Sequence, residues 1–151
     1  MIKPKKMKKS LLIILLVFVS LSSNSQTISL SQLISIHKMN DVNYSDKYLK
    51  DRGWVSKSSN DDGIKYANKN GDIIIISLYE GLATRATFTS AELRDSYFKQ
   101  IKNFGGVLRD ITGNGDVSVM NYKGGLFDFM FTIKLLPKNK QLYTVTVCKF
   151  K

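Results

Sequence analysis

Histidine and cysteine each occur once in these 151 residues, and bases outnumber acids by 23 to 12. Each scarcity closes off a class of function. With Cys148 alone, no intramolecular disulfide can form, so stability must come from a hydrophobic core, which a chain of this length can supply. One histidine, His37, and one cysteine cannot supply the usual structural zinc sets. No Gly-Lys-Ser/Thr sequence opens a helix, so a phosphate-cradling P-loop is missing. Oxygen-rich stretches at Asn68–Asp72 and Gly113–Asp116 lack the further ligands of a calcium loop and read as hairpin turns. No metal or cofactor is expected.

Protected carboxylate pairs are also missing. Asp61, Asp62, Asp72 and Asp116 fall at turns, where solvent holds their charge. Asp128 differs, because it lies in mid-strand between Phe127 and Phe129. His37 falls on the apolar stripe of a helix, which suits packing better than base catalysis. A nucleophilic pair of Cys148 with His37 is conceivable, since such partners meet in space and not in sequence.

Long apolar runs are confined to the N-terminus. Lys3, Lys5, Lys6, Lys8 and Lys9 precede an apolar run over Leu11–Leu21, and Ser23-Asn24-Ser25 supplies small residues before Gln26. This is the pattern of a cleavable signal peptide over residues 1–25, and the run is well short of the ~20 residues that span a bilayer. Export to the periplasm or the medium follows, with the membrane met only in transit. Five basic residues and no acid lie in that segment, so the remainder holds 18 bases against 12 acids, a net +6. It lacks dense Lys/Arg runs, and nucleic acid is not an expected partner.

What is present is a well-patterned globular chain with 43% hydrophobic residues. Thr89–Phe104 reads as its best-signalled helix. Thr89 or Ser90 can cap it, Glu92 stands at capping-box spacing from Thr89, and Leu93, Tyr97, Ile101 and Phe104 share one face. Gly105-Gly106 ends it. Ser29–Met39 and Tyr44–Arg52 are two further helices, the second capped by Asn43 or Ser45 and ended by Gly53. Strands are expected at 54–58, 64–68, 73–80, 84–88, 107–111, 117–122, 126–136 and 142–150. The run Ile73–Glu80 is apolar on both faces, which predicts a strand covered on both sides. In Leu126–Leu136, Phe127, Phe129, Phe131, Ile133 and Leu135 alternate with Asp128, Met130, Thr132 and Lys134.

The fold class is therefore α+β, an antiparallel sheet with helices on one face, in a single domain over 26–151. An echo at an offset of 53 runs through it. Gly53 matches Gly106, Ile64-Lys65-Tyr66 matches Val117-Ser118-Val119, and Gly71 matches Gly124. Two α-β-β-β-β repeats, 43–89 and 90–150, are expected from it. Over 43–150 this order of elements resembles the tandem helix-plus-four-strand modules of β-lactamase-inhibitor-protein-like domains, without the disulfides typical of that inhibitor. The resemblance implies the architecture; it does not fix a role, because one fold serves many functions.

The functional expectation is an exported, non-enzymatic binding domain whose partner is a protein or glycan of the envelope. Its candidate surface is the outward face of the last two long strands, Asp128, Met130, Thr132, Lys134, Thr144 and Thr146, with Trp54 as a possible anchor. Cys148 is a candidate reactive thiol. The alternative is a small exported enzyme using His37, Cys148 or Asp128.

Overall fold

The computed structural model describes residues 27–39, 41–60, 63–77 and 83–149. The segment expected to be a signal peptide, the expected turn at Asp61-Asp62, the end of the Ile73–Glu80 run, the expected turn at Gly81 and Phe150 lie outside the described residues.

Among the described residues, three helices and eight strands follow one another in the expected order. They are α1 (Leu30–Met39), α2 (Val42–Lys50), β1 (Val55–Asn60), β2 (Gly63–Ala67), β3 (Ile73–Ser77), β4 (Thr84–Phe88), α3 (Ala91–Asn103), β5 (Val107–Asn114), β6 (Val117–Lys123), β7 (Phe127–Leu136) and β8 (Lys140–Lys149). A short 3₁₀ turn, Pro137–Asn139, joins β7 to β8.

Local chemistry sets the helix ends. At α1, the Ser29 hydroxyl accepts from the Gln32 N–H at 3.3 Å, and the Gln32 side chain accepts from the Ser29 N–H at 2.8 Å, a reciprocal capping box. α2 starts earlier than its apolar spacing predicts. Asp41, not Asn43 or Ser45, caps it, its carboxylate accepting from the Asn43 and Tyr44 N–H groups at 2.9 and 3.1 Å. Ser45 and Leu49 face inward, and Tyr44 stays at the surface, stacked on Tyr48. At α3 the cap is Ser90, accepting from the Leu93 N–H at 3.1 Å.

α2 and α3 end in the same way. Gly53 (φ 79°) and Gly105 (φ 76°) take the left-handed conformation. The Trp54 N–H then donates to the Leu49 carbonyl at 3.0 Å, and the Gly106 N–H to the Ile101 carbonyl at 2.9 Å. The geometric counterpart of Gly53 is thus Gly105, not Gly106 as the fixed offset of 53 predicts.

The strands form one antiparallel sheet in the order β1-β2-β3-β4-β8-β7-β6-β5. Each run of four is a meander, and the two meanders meet where β4 pairs with β8. The helices cover one face only. Beneath them lie Tyr66, Ile74, Ile76, Ala86, Phe88, Phe129, Phe131, Tyr143, Val145 and Val147. Phe88 stacks on Tyr97 of α3 with ring centroids 5.1 Å apart, and Phe98 meets Phe131 at 4.3 Å. The Tyr97 hydroxyl donates to the Ile28 carbonyl, and the Gln100 side chain accepts from the Leu30 N–H at 2.8 Å. These two bonds tie the chain entering α1 to α3.

Coverage of one face corrects the expectation for β3. Ile74 and Ile76 are buried, but Ile73 and Ile75 stand half-buried on the other side. The outermost strands β1 and β5 are exposed along their whole length, and each carries a register shift, at Ser56/Ser58 and at Leu108/Asp110. Such bulges twist an edge away from unwanted strand pairing. Among the described residues, no helix is long and apolar enough to cross a membrane.

Candidate functional site

The face opposite the helices is where the nominated residues gather. Because side chains alternate along a strand, placing Phe129 and Phe131 under the helices sends Asp128, Met130, Thr132 and Lys134 to the open side. β8 meets them in register. Asp128 stands opposite Cys148, Met130 opposite Thr146, and Thr132 opposite Thr144. The next strand continues the pattern. Arg85 faces Thr146 and Thr87 faces Thr144, with the two Thr hydroxyl oxygens 3.1 Å apart.

Thr146 is on this side of the sheet but only 3% exposed, so it offers a partner almost no surface. Two other candidate residues lie elsewhere. Trp54 is 3% exposed and belongs to the core, so it offers no surface anchor. The bond from its N–H back to Leu49 closes the end of α2 and folds the indole inward. His37 is buried on the helix side, 3.3 Å from the Thr84 hydroxyl and edge-on to Phe127 at 5.6 Å. Cys148 is on the opposite side of the sheet, because it alternates with the covered Val147. A His37–Cys148 catalytic pair is therefore not formed.

Cys148 is half-buried. Burial pushes its thiol above the usual range and the Asp128 charge adds to this, while Arg85 opposes it. A nucleophilic cysteine needs the reverse shift, toward thiolate near neutral pH.

At the β5–β8 end of the open face lies a cavity of about 330 Å³. Asp128, Met130 and Cys148 line it, and so do Arg109, Asp110, Asn121 and Lys123, which sequence reasoning did not single out. Register brings these four in. Lys123 stands opposite Asp128, Asn121 opposite Met130, and Asp110 opposite Asn121. The bulge that follows Leu108 places Arg109 at the rim. Asn121 donates to the Asp110 carboxylate at 2.6 Å. Asp128 is less well served. Its Oδ1 is buried and meets no hydrogen-bond partner among the described residues. A buried acceptor left unpaired is costly, and folded proteins rarely keep one without a reason.

The open face is chemically mixed. Lys65, Arg85, Lys123 and Lys134 stand on it with Asp110 and Asp128, and Ile73, Ile75, Val119 and Met130 lie half-buried between them. No three of His, Cys, Asp and Glu converge among the described residues as a metal centre would require. Comparison with protein-family models, with curated proteins and with solved structures finds no match to this chain.

Proposed function

We propose that this protein is an exported, non-enzymatic binding domain whose open sheet face docks an acidic protein surface. One observation carries this reading. The helices cover a single face of an eight-stranded sheet, and the uncovered face pairs half-buried apolar residues with an excess of basic ones. Lys65, Arg85, Lys123 and Lys134 against Asp110 and Asp128 favour a partner of opposite sign, and apolar residues between the charges supply area to bury. Among the described residues of this face there is no aromatic platform for a sugar ring, which favours protein over glycan. Export rests on the N-terminal segment alone: five lysines, a short apolar run and small residues before Gln26.

Descent from a duplicated helix-plus-four-strand module is part of the same reading. The two meanders, the matching helix ends at Gly53 and Gly105, and the bulges at equivalent places on β1 and β5 support it. The order of elements, which resembles tandem β-lactamase-inhibitor-protein-like modules, agrees with it. An enzyme working through Cys148 or Asp128 is the weaker alternative, because the thiol is shifted away from its reactive form.

The test is capture from envelope and secreted fractions, with the purified protein as bait. A genuine partner is acidic, is released at about 0.5 M salt, and is lost with Arg85→Glu/Lys134→Glu and with Met130→Asp. It is retained by Lys99→Glu, a charge reversal on the exposed side of α3. Equal capture by wild type and both open-face variants would sink the assignment.

A further inference from the structure

The cavity on the open face has a composition that selects a ligand class. Its charged lining is balanced, with Arg109 and Lys123 against Asp110 and Asp128. Two of these groups have unused capacity. The buried Asp128 Oδ1 lacks a donor among the described residues. The Arg109 side chain forms no hydrogen bond or ion pair among the described residues, and its guanidinium fork matches a carboxylate. The other acid is already engaged, since Asp110 accepts from Asn121 at 2.6 Å. Asp128 and Arg109 stand two strands apart, on β7 and β5, so their backbones are about 10 Å from each other across the sheet. A long arginine side chain closes part of that gap. The remaining space, within a cavity of about 330 Å³, suits a compact molecule with a cationic donor at one end and an anion at the other.

We infer that this cavity binds a small zwitterion, an amino acid or a short peptide, with its ammonium group on Asp128 and its carboxylate on Arg109. A simple cation would be repelled by Arg109 and Lys123. A simple anion would leave the Asp128 oxygen unpaired. A ligand that carries both charges engages both groups at once. The ammonium makes a charge-assisted hydrogen bond to a buried oxygen, where such bonds are strong. Met130 and the Cys148 sulfur form the apolar part of the lining, against which a small side chain can rest. The inference rests on the open face being the binding side of the molecule, but it does not require the acidic protein partner.

Amide chemical shifts of the purified protein, titrated with defined probes at millimolar concentration, test it. L-Alanine and L-alanyl-L-alanine represent the free amino acid and the peptide. Glycine betaine lacks the N–H donors, alaninamide lacks the carboxylate, and N-acetylalanine lacks the ammonium. Saturable shifts in β5, β6 and β7 with alanine or the dipeptide are expected, and whichever binds more tightly identifies the source. The three blocked probes are expected to bind at least about tenfold more weakly, as are wild-type probes on Asp128→Asn and on Arg109→Gln. Lys99→Gln, on the exposed side of α3 and away from the open face, is expected to change nothing. Arg109 is exposed on an edge strand, so its variant reports on binding even if the Asp128 variant misfolds. Equal binding of betaine or alaninamide overturns the inference, as does the absence of saturable shifts with every probe. Partner capture that survives Asp128→Asn, with no zwitterion bound, would overturn this inference and leave the docking face standing.

Discussion

Replacing Asp128 with threonine is expected to stabilise the protein while removing its proposed ligand contact. The native carboxylate has one oxygen buried without a donor among the described residues. Such a group costs about 1–3 kcal/mol, and the lower end applies because the residue as a whole is only half-buried. Threonine is also the better strand former, on a scale spanning about 1 kcal/mol, and its shape already recurs on this face at Thr132 and Thr144. Against these gains stands the lost attraction to Lys123 across the β6–β7 pair, worth about 0–1 kcal/mol. The net is a gain of about 1 kcal/mol. With an unfolding entropy of about 2.1 cal/mol/K per residue over roughly 125 residues, this raises Tm by about 4 °C. Scanning calorimetry of both proteins, without added ligand, measures it directly. A Tm that falls by two degrees or more would mean that Asp128 is well satisfied in solution. The unpaired oxygen would then no longer support a ligand site.

Three further outcomes follow from particular contacts. Gly106→Ala places a Cβ 2.5 Å from the buried Ile101 side chain and 2.8 Å from its carbonyl oxygen, so a loss of about 2 kcal/mol is expected in urea unfolding. Lys138 holds a left-handed conformation (φ 63°) in the exposed β7–β8 turn, and Lys138→Gly is expected to add about 0.5–1 kcal/mol by the same measurement. Alkylation of Cys148 by iodoacetamide is expected to be slower than that of free cysteine at pH 8, and to keep accelerating as pH rises through the usual thiol range. Asp128→Asn removes a charge that raises the thiol, so it shifts the rate profile toward lower pH; an unchanged profile would contradict the Asp128 contribution.

Much of the secondary structure was legible because its causes are local. The capping box of Ser29 and Gln32, the glycines after α2 and α3, and the alternation through β7 each depend on residues within a few positions of one another. The departures from local pattern have local causes too. Asp41 competes with Asn43 and Ser45 for the same free N–H groups, and its carboxylate takes those of Asn43 and Tyr44, so α2 begins at Val42. Ile73 and Ile75 misled because a run of four isoleucines carries no period from which a covered side could be chosen.

Composition and pattern by themselves determined the α+β class, the order of elements, the absence of a disulfide framework and the six residues nominated on the outer face of β7 and β8. Tertiary structure alone decided which strands meet. The pairing of β4 with β8 joins Arg85 to Thr146, and the register of β5, β6 and β7 sets Arg109, Asp110, Asn121 and Lys123 beside Asp128 and Cys148. No local rule specifies such contacts. They depend on which arrangement buries the phenylalanine and tyrosine faces under α1 and α3, and a shift of one residue would send every one of those side chains to the other side.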